Sequence, residues 1–130
     1  MDRKQISTTT LAYLGDSVWE LAVRDHLLSL GYQRVDKMHR EAVRFVSANA
    51  QENILKILME GVLTEEELSL VKRARNHKLI SSKKNSKRDE MTDKYATAFE
   101  ALIGYLYLDE TPDRLDYIIS AAFLIVDKTK

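Results

Sequence analysis

Residues 11–20 read LAYLGDSVWE, an apolar helical stretch interrupted by one glycine and one acid. Glycine in a helix interior costs about 1 kcal/mol against alanine. A carboxylate among buried neighbours is costly unless something compensates it. A second stretch, residues 97–108, TAFEALIGYLYL, repeats the pattern with Glu100 and Gly104 in a run that is apolar almost all round. Such a helix is central in its fold or covered by a partner subunit. Gly104 lies one turn beyond Glu100 on the same face. The expectation is that Gly15 and Gly104 permit a close helix–helix contact that brings Asp16 toward Glu100.

Outward from these two segments the chain reads as all-α. The first helix runs from Thr8 to Leu30, with Ser7 or Thr8 as cap and Gly31 as stop. It has two apolar stripes, Leu11, Leu14, Val18 and Leu21 on one side, and Ala12, Trp19, Val23 and Leu27 on the other. Two stripes need two neighbours, which favours a homodimer beside the alternative of a monomeric bundle. A second helical region starts near Asp36 as cap, and QENILKILMEG continues or restarts it as far as Gly61. Thr64 with Glu67 forms a capping box that opens EEELSLVKRAR. The basic stretch that follows reads as a loop to about Glu90, and Thr92 or Asp93 caps the helix that holds Glu100. Pro112 sits in the first turn of a last helix whose apolar face is Leu115, Ile118, Ile119, Ala122, Phe123 and Val126.

A chain of 130 residues suits one domain, taken as 1–130. It has no cysteine, so disulfides and thiolate metal sites are excluded, which fits a reducing cytoplasm. The first ten residues lack the apolar core of a signal peptide, and no run reaches the length of a membrane span. The net charge is zero, but residues 72–88 hold eight Lys or Arg and no acid, leaving 12 bases and 20 acids elsewhere. Positive charge gathered in one place is compatible with a nucleic-acid partner. The alternative is a solvated loop without a ligand. His26, His39 and His77 have no metal-ligand spacing, and there is no GxSxG, P-loop or GxGxxG.

Two carboxylates on apolar helices can be compensated by a cation. Mg²⁺ prefers oxygen ligands and keeps several waters, so one or two protein carboxylates are enough. The commonplace alternative is an acid paired with Arg, or facing solvent at a helix edge.

LAYLGDSVWE resembles the ribonuclease III signature, approximately LEFLGDAVLE, and TAFEALIGYLYLDE resembles that family's second acidic motif, roughly DVFEALIGAIYLD. HREAVRFVSANAQ and KRARNHK between them are similar to Mini-ribonuclease III, the branch consisting of the catalytic domain alone. The resemblance implies an all-helical, ribonuclease III-like endonuclease domain that forms a two-fold dimer. It implies Mg²⁺-dependent hydrolysis of double-stranded RNA (Mn²⁺ substituting) to 5′-phosphate and 3′-hydroxyl ends, with precursor 23S ribosomal RNA as substrate. It leaves room for an accessory ribosomal protein that presents the RNA. By position, Asp16 and Glu100 match the catalytic, metal-holding acids. With no double-stranded-RNA-binding domain expected, the RNA contacts fall to Lys72, Arg73, Arg75, Asn76, Lys78, Lys83 and Lys84, with Arg40 and Ser47 from the second helical region. Lys87, Arg88 and Arg44 extend that surface. Two carboxylates of the larger family are replaced here by Ala12 and Thr97, as in the Mini branch. These replacements also motivate an alternative, a non-catalytic dimeric RNA-binding protein of the same fold. Ala74 stands where the branch has a glycine, which strains the backbone only if that position needs a positive φ.

Overall fold

A computed structural model of the chain describes residues 2–77 and 87–128. Among the described residues a single 3-10 turn at Arg3–Gln5 is followed by six helices: α1 (Thr8–Ser29), α2 (Val35–Val46), α3 (Ala48–Met59), α4 (Glu65–Asn76), α5 (Lys87–Tyr107) and α6 (Asp113–Lys128). No strand is present among the described residues. Helix α5 is the axis of the fold. Its stretch Ala101–Leu106 is buried on every side, with α1, α3 and α4 packed around it.

The ends of α1 follow from its local chemistry. The Ser7 hydroxyl accepts the Thr10 N–H at 3.2 Å, and Gly31 leaves the helix at φ +99°, a conformation open to glycine. The Thr64–Glu67 capping box forms as read, with both reciprocal hydrogen bonds. Burial pushes the Glu67 carboxyl up, but hydrogen bonds from Arg114 and the Thr64 N–H outweigh it and hold the carboxyl below its usual range. The Arg114 guanidinium grips both Glu67 oxygens, at 2.7 and 2.9 Å, and donates to the Val62 carbonyl. One side-chain pair thereby pins the start of α6 to the start of α4.

Two expected boundaries move, and the second helical region, read as continuing or restarting, restarts. The second helical region is two helices, because Ser47 adopts an extended backbone (ψ 154°), ends α2 and caps α3 through the Ala50 N–H. Helix α2 begins at Val35, one residue before the expected cap, and Asp36 sits in its first turn, where a negative charge suits the positive end of the helix. Helix α5 is already formed at Lys87, where the described residues resume, so Thr92 is not a cap but an interior residue. Its hydroxyl donates to the Arg88 carbonyl and to Glu52 of α3. The acids Asp89 and Glu90 in the first turn of α5 favour this earlier start.

The break at Ser47 organises the core. It deprives the Phe45 and Val46 carbonyls of their helical partners. The buried Trp19 indole donates to Phe45 O at 3.0 Å, and Gln51 Nε2 donates to Val46 O at 3.2 Å. Trp19 also meets Phe99 edge-on at 5.0 Å and stacks on Phe123 of α6 at 5.4 Å. The apolar face of α6 is inward as expected. The two stripes of α1 are not equally covered. Trp19, Val23 and Leu27 are fully buried, whereas in the other stripe Leu11 is buried, Leu14 and Val18 are half-buried and Leu21 is 70% exposed; Tyr13, outside both stripes, is 84% exposed.

Candidate active site

The crossing of α1 and α5 is a contact between backbones. A Cβ on Gly15 would overlap the Glu100 carbonyl, and a Cβ on Gly104 would overlap the Leu11 carbonyl. The two glycines are therefore reciprocal, each opening space for the partner helix. This approach brings the carboxyl groups of Asp16 and Glu100 into hydrogen-bonding reach of one another. Asp16 is exposed and Glu100 half-buried. Burial first, then the hydrogen bond and charge of Asp16, and then the charge of Glu20, push the Glu100 carboxyl up to about 8. The carboxamide of Gln51, from α3, also reaches Glu100 and acts in the opposite direction. Gln51 is only 3% exposed, and its Oε1 is buried without a hydrogen-bond partner.

The basic residues lie on several surfaces. On α4, Lys72, Arg73 and Asn76 are exposed. Arg75 is half-buried and leans on α5, with its guanidinium 5.6 Å from the centre of the Tyr95 ring. Lys56 of α3 approaches the same ring at 4.8 Å. Arg73 instead lines a small pocket with Lys4, Glu66, Ser69 and Tyr105. Arg40 is exposed on α2, while Arg44 is tied to Glu41 at 3.1 Å. His39 and Glu20 line a groove of about 370 Å³ between α2 and α1, so Glu20 borders both this groove and the acidic pair. Lys87 and Arg88 fall in the first turn of α5. Lys78, Lys83 and Lys84 lie outside the described residues. Ala74 is buried within α4, and no non-glycine residue among those described has a positive φ, so alanine is unstrained there. Of the aromatics, Trp19, Phe99 and Tyr105 belong to the core, Tyr95 is half-buried and Tyr107 is exposed.

Residues 9–111 match the family model of the ribonuclease III domain. The chain belongs to the ribonuclease III family. It is 49% identical over 117 residues to Mini-ribonuclease 3 of Brevibacillus brevis, spanning 90% of this chain and 85% of that one. It is 40% identical to Mini-ribonuclease 3 of Enterococcus faecalis, spanning 98% and 96%. A crystal structure of a Fusobacterium nucleatum protein superposes with a TM-score of 0.77 at 32% identity, covering 93% of this chain and 94% of the other. Membership of the ribonuclease III family makes the chain an endoribonuclease. Both acidic motifs and the basic end of α4 lie inside the matched span.

The ribonuclease III resemblance implies a divalent cation, and the donor chemistry at the crossing suits one. Asp16 and Glu100 offer oxygen only, the donor type of a hard ion such as Mg²⁺. Among the described residues no group of three or more His, Cys, Asp or Glu gathers as a metal site. Ala12 is buried and uncharged one turn before Asp16, and Thr97 is half-buried one turn before Glu100. Gln51 and Glu20 were not singled out from the sequence. The signal for Gln51 was a polar side chain in a segment whose other inward positions, Ile54, Leu55 and Leu58, are all apolar.

Proposed function

We propose that this endoribonuclease cleaves double-stranded RNA as a homodimer, using Mg²⁺, or Mn²⁺ in its place, held by Asp16 and Glu100. The carrying observation is the pair of carboxyl groups drawn from two helices into one half-buried site, where Glu100 is pushed up to about 8. Two acids repel at such close range, and a divalent cation between them turns that repulsion into attraction. When bound, the ion polarises the phosphodiester and lowers the pKa of an attacking water. Hydrolysis breaks the bond to the 3′ oxygen, so the products carry 5′-phosphate and 3′-hydroxyl ends. Asp16, being exposed, is the ligand on the substrate side, and Glu100 anchors the site to the core.

An A-form duplex is recognised through phosphates, 2′-hydroxyls and shape. Lys72, Arg73, Arg75 and Asn76 at the end of α4, with Lys78, Lys83 and Lys84 beyond it, supply the phosphate contacts on this reading. Arg40 and Ser47 border the duplex from α2 and the α2–α3 break. On this reading the catalytic domain grips the duplex with its own basic residues and acts in the cytoplasm. The substrate we assign is a base-paired stem of precursor 23S ribosomal RNA.

The test is cleavage of that precursor and of a generic RNA duplex, with Mg²⁺ or with EDTA, by wild type, Asp16→Asn and Glu100→Gln. The expected result is cleavage that EDTA abolishes and that falls at least about 1000-fold in either folded variant. Retained cleavage in the variants would remove both acids from the chemistry. Cleavage of the protein-free precursor would also show that no accessory ribosomal protein is required.

A further inference from the structure

Gln51 is the buried polar group that the acidic pair alone does not explain. Its Nε2 donates to the Val46 carbonyl exposed by the Ser47 break, which fixes the carboxamide in place. The same carboxamide reaches Glu100. Its Oε1 is buried and has no hydrogen-bond partner. Both atoms belong to one small planar group, so the unpaired oxygen is held beside the nitrogen that meets the Val46 carbonyl, on the residue that also reaches Glu100. A buried acceptor without a partner costs about 1–3 kcal/mol, and native proteins rarely leave one unused.

The oxygen also meets a need. A hydrated Mg²⁺ held by two protein carboxylates keeps several waters, and each water presents hydrogens outward. Ala12 and Thr97 offer no carboxylate to accept them, and Ala12 offers no polar side chain at all. A neutral side-chain carbonyl beside Glu100 accepts such a hydrogen without adding charge to an already acidic site.

We propose that Gln51 is a positioning residue of the metal centre, its Oε1 accepting a hydrogen bond from a water on the ion held by Asp16 and Glu100. This rests on the metal reading above. Groups that hold a metal's outer ligands typically change its affinity by about 10–100-fold when removed.

The test is Mn²⁺ binding to the full chain, read by loss of the free-ion electron paramagnetic resonance signal, without RNA. Wild type, Gln51→Leu, Gln51→Glu and Asp16→Asn are compared, with melting in EDTA to measure the folding cost. Both Gln51 variants lose the donor to Val46, so a purely structural role affects them alike. Only Gln51→Glu keeps an acceptor oxygen. The expected result is Mn²⁺ binding weakened about tenfold or more in Gln51→Leu and matching or exceeding wild type in Gln51→Glu. Gln51→Met replaces Gln51→Leu if the latter does not fold. Undiminished binding in the apolar variant, or equal weakening in the apolar and Glu variants, overturns the role of Oε1 while the metal reading stands. A wild type that binds no Mn²⁺ and matches Asp16→Asn overturns both.

Discussion

The Glu100 carboxyl binds its proton more tightly in the folded protein than in the unfolded chain, where it returns from about 8 to the ordinary 4.5. The sign of the pH dependence follows. With the folded pKa raised, the native state holds more protons, and stability falls as pH rises. In EDTA, the Glu100 contribution is fully present below about pH 4.5, is lost progressively up to about pH 8 and levels off above it. Melting temperatures of wild type and Glu100→Gln across this range are expected to diverge, with the wild-type curve declining more steeply. Parallel curves would mean that Glu100 is not held in its protonated form. The two acids and two glycines were legible because each breaks an apolar helical pattern at a cost that only close approach or a ligand offsets. Gln51 was not legible as a site residue, since its position depends on the backbone break at Ser47. The apolar periodicity on either side of Ser47 gives no sign of that break.

At the scale of elements, the α1–α5 crossing is the least forgiving contact. The atoms that a Cβ on Gly15 would strike are backbone, which cannot rotate away. Gly15→Ala is expected to lower unfolding free energy by about 3 kcal/mol, measured in urea, and to reduce cleavage in whatever fraction remains folded. A loss below about 1 kcal/mol would mean the helices separate easily and the acid spacing is not fixed by the glycines. Ser47→Ala removes the side-chain cap of α3 and is expected to cost about 1 kcal/mol, read from the shift of the urea midpoint. Because Ser47 also holds the break that presents Gln51, its loss should weaken Mn²⁺ binding more than stability alone predicts. The missed start of α5 has a related physical cause. Residues 87–93 are charged or polar apart from Met91 and none of them is buried, so the segment carries no apolar stripe and resembles a solvated segment in sequence. First-turn acids and the Thr92 bond to Glu52 support it instead.

At the scale of the whole molecule, the uneven coverage of α1 carries the argument for a second copy. Residues of α6 meet the Trp19 side of α1, through Phe123, but Tyr13, Leu21 and Leu28 remain open, each more than half exposed. These three lie on the polar-strip side of α1, with Glu20 and Arg24 among them, so a partner there would sit beside the acidic pair. Three apolar side chains left open along one helix face offer a second chain somewhere to pack. Sedimentation of wild type is expected at twice the mass of one chain, and Tyr13→Arg combined with Leu21→Glu is expected to halve it without unfolding the helices. Cleavage should fall with the loss of the dimer, because a duplex gripped at both ends of a two-fold site has more phosphate contacts than one protomer provides. RNA binding by wild type should also depend more steeply on salt than binding by the double variant, since each phosphate contact releases counterions. A wild type that sediments as one chain would remove the partner subunit, leaving the open face of α1 unexplained. A double variant that stays dimeric would move the interface to another surface.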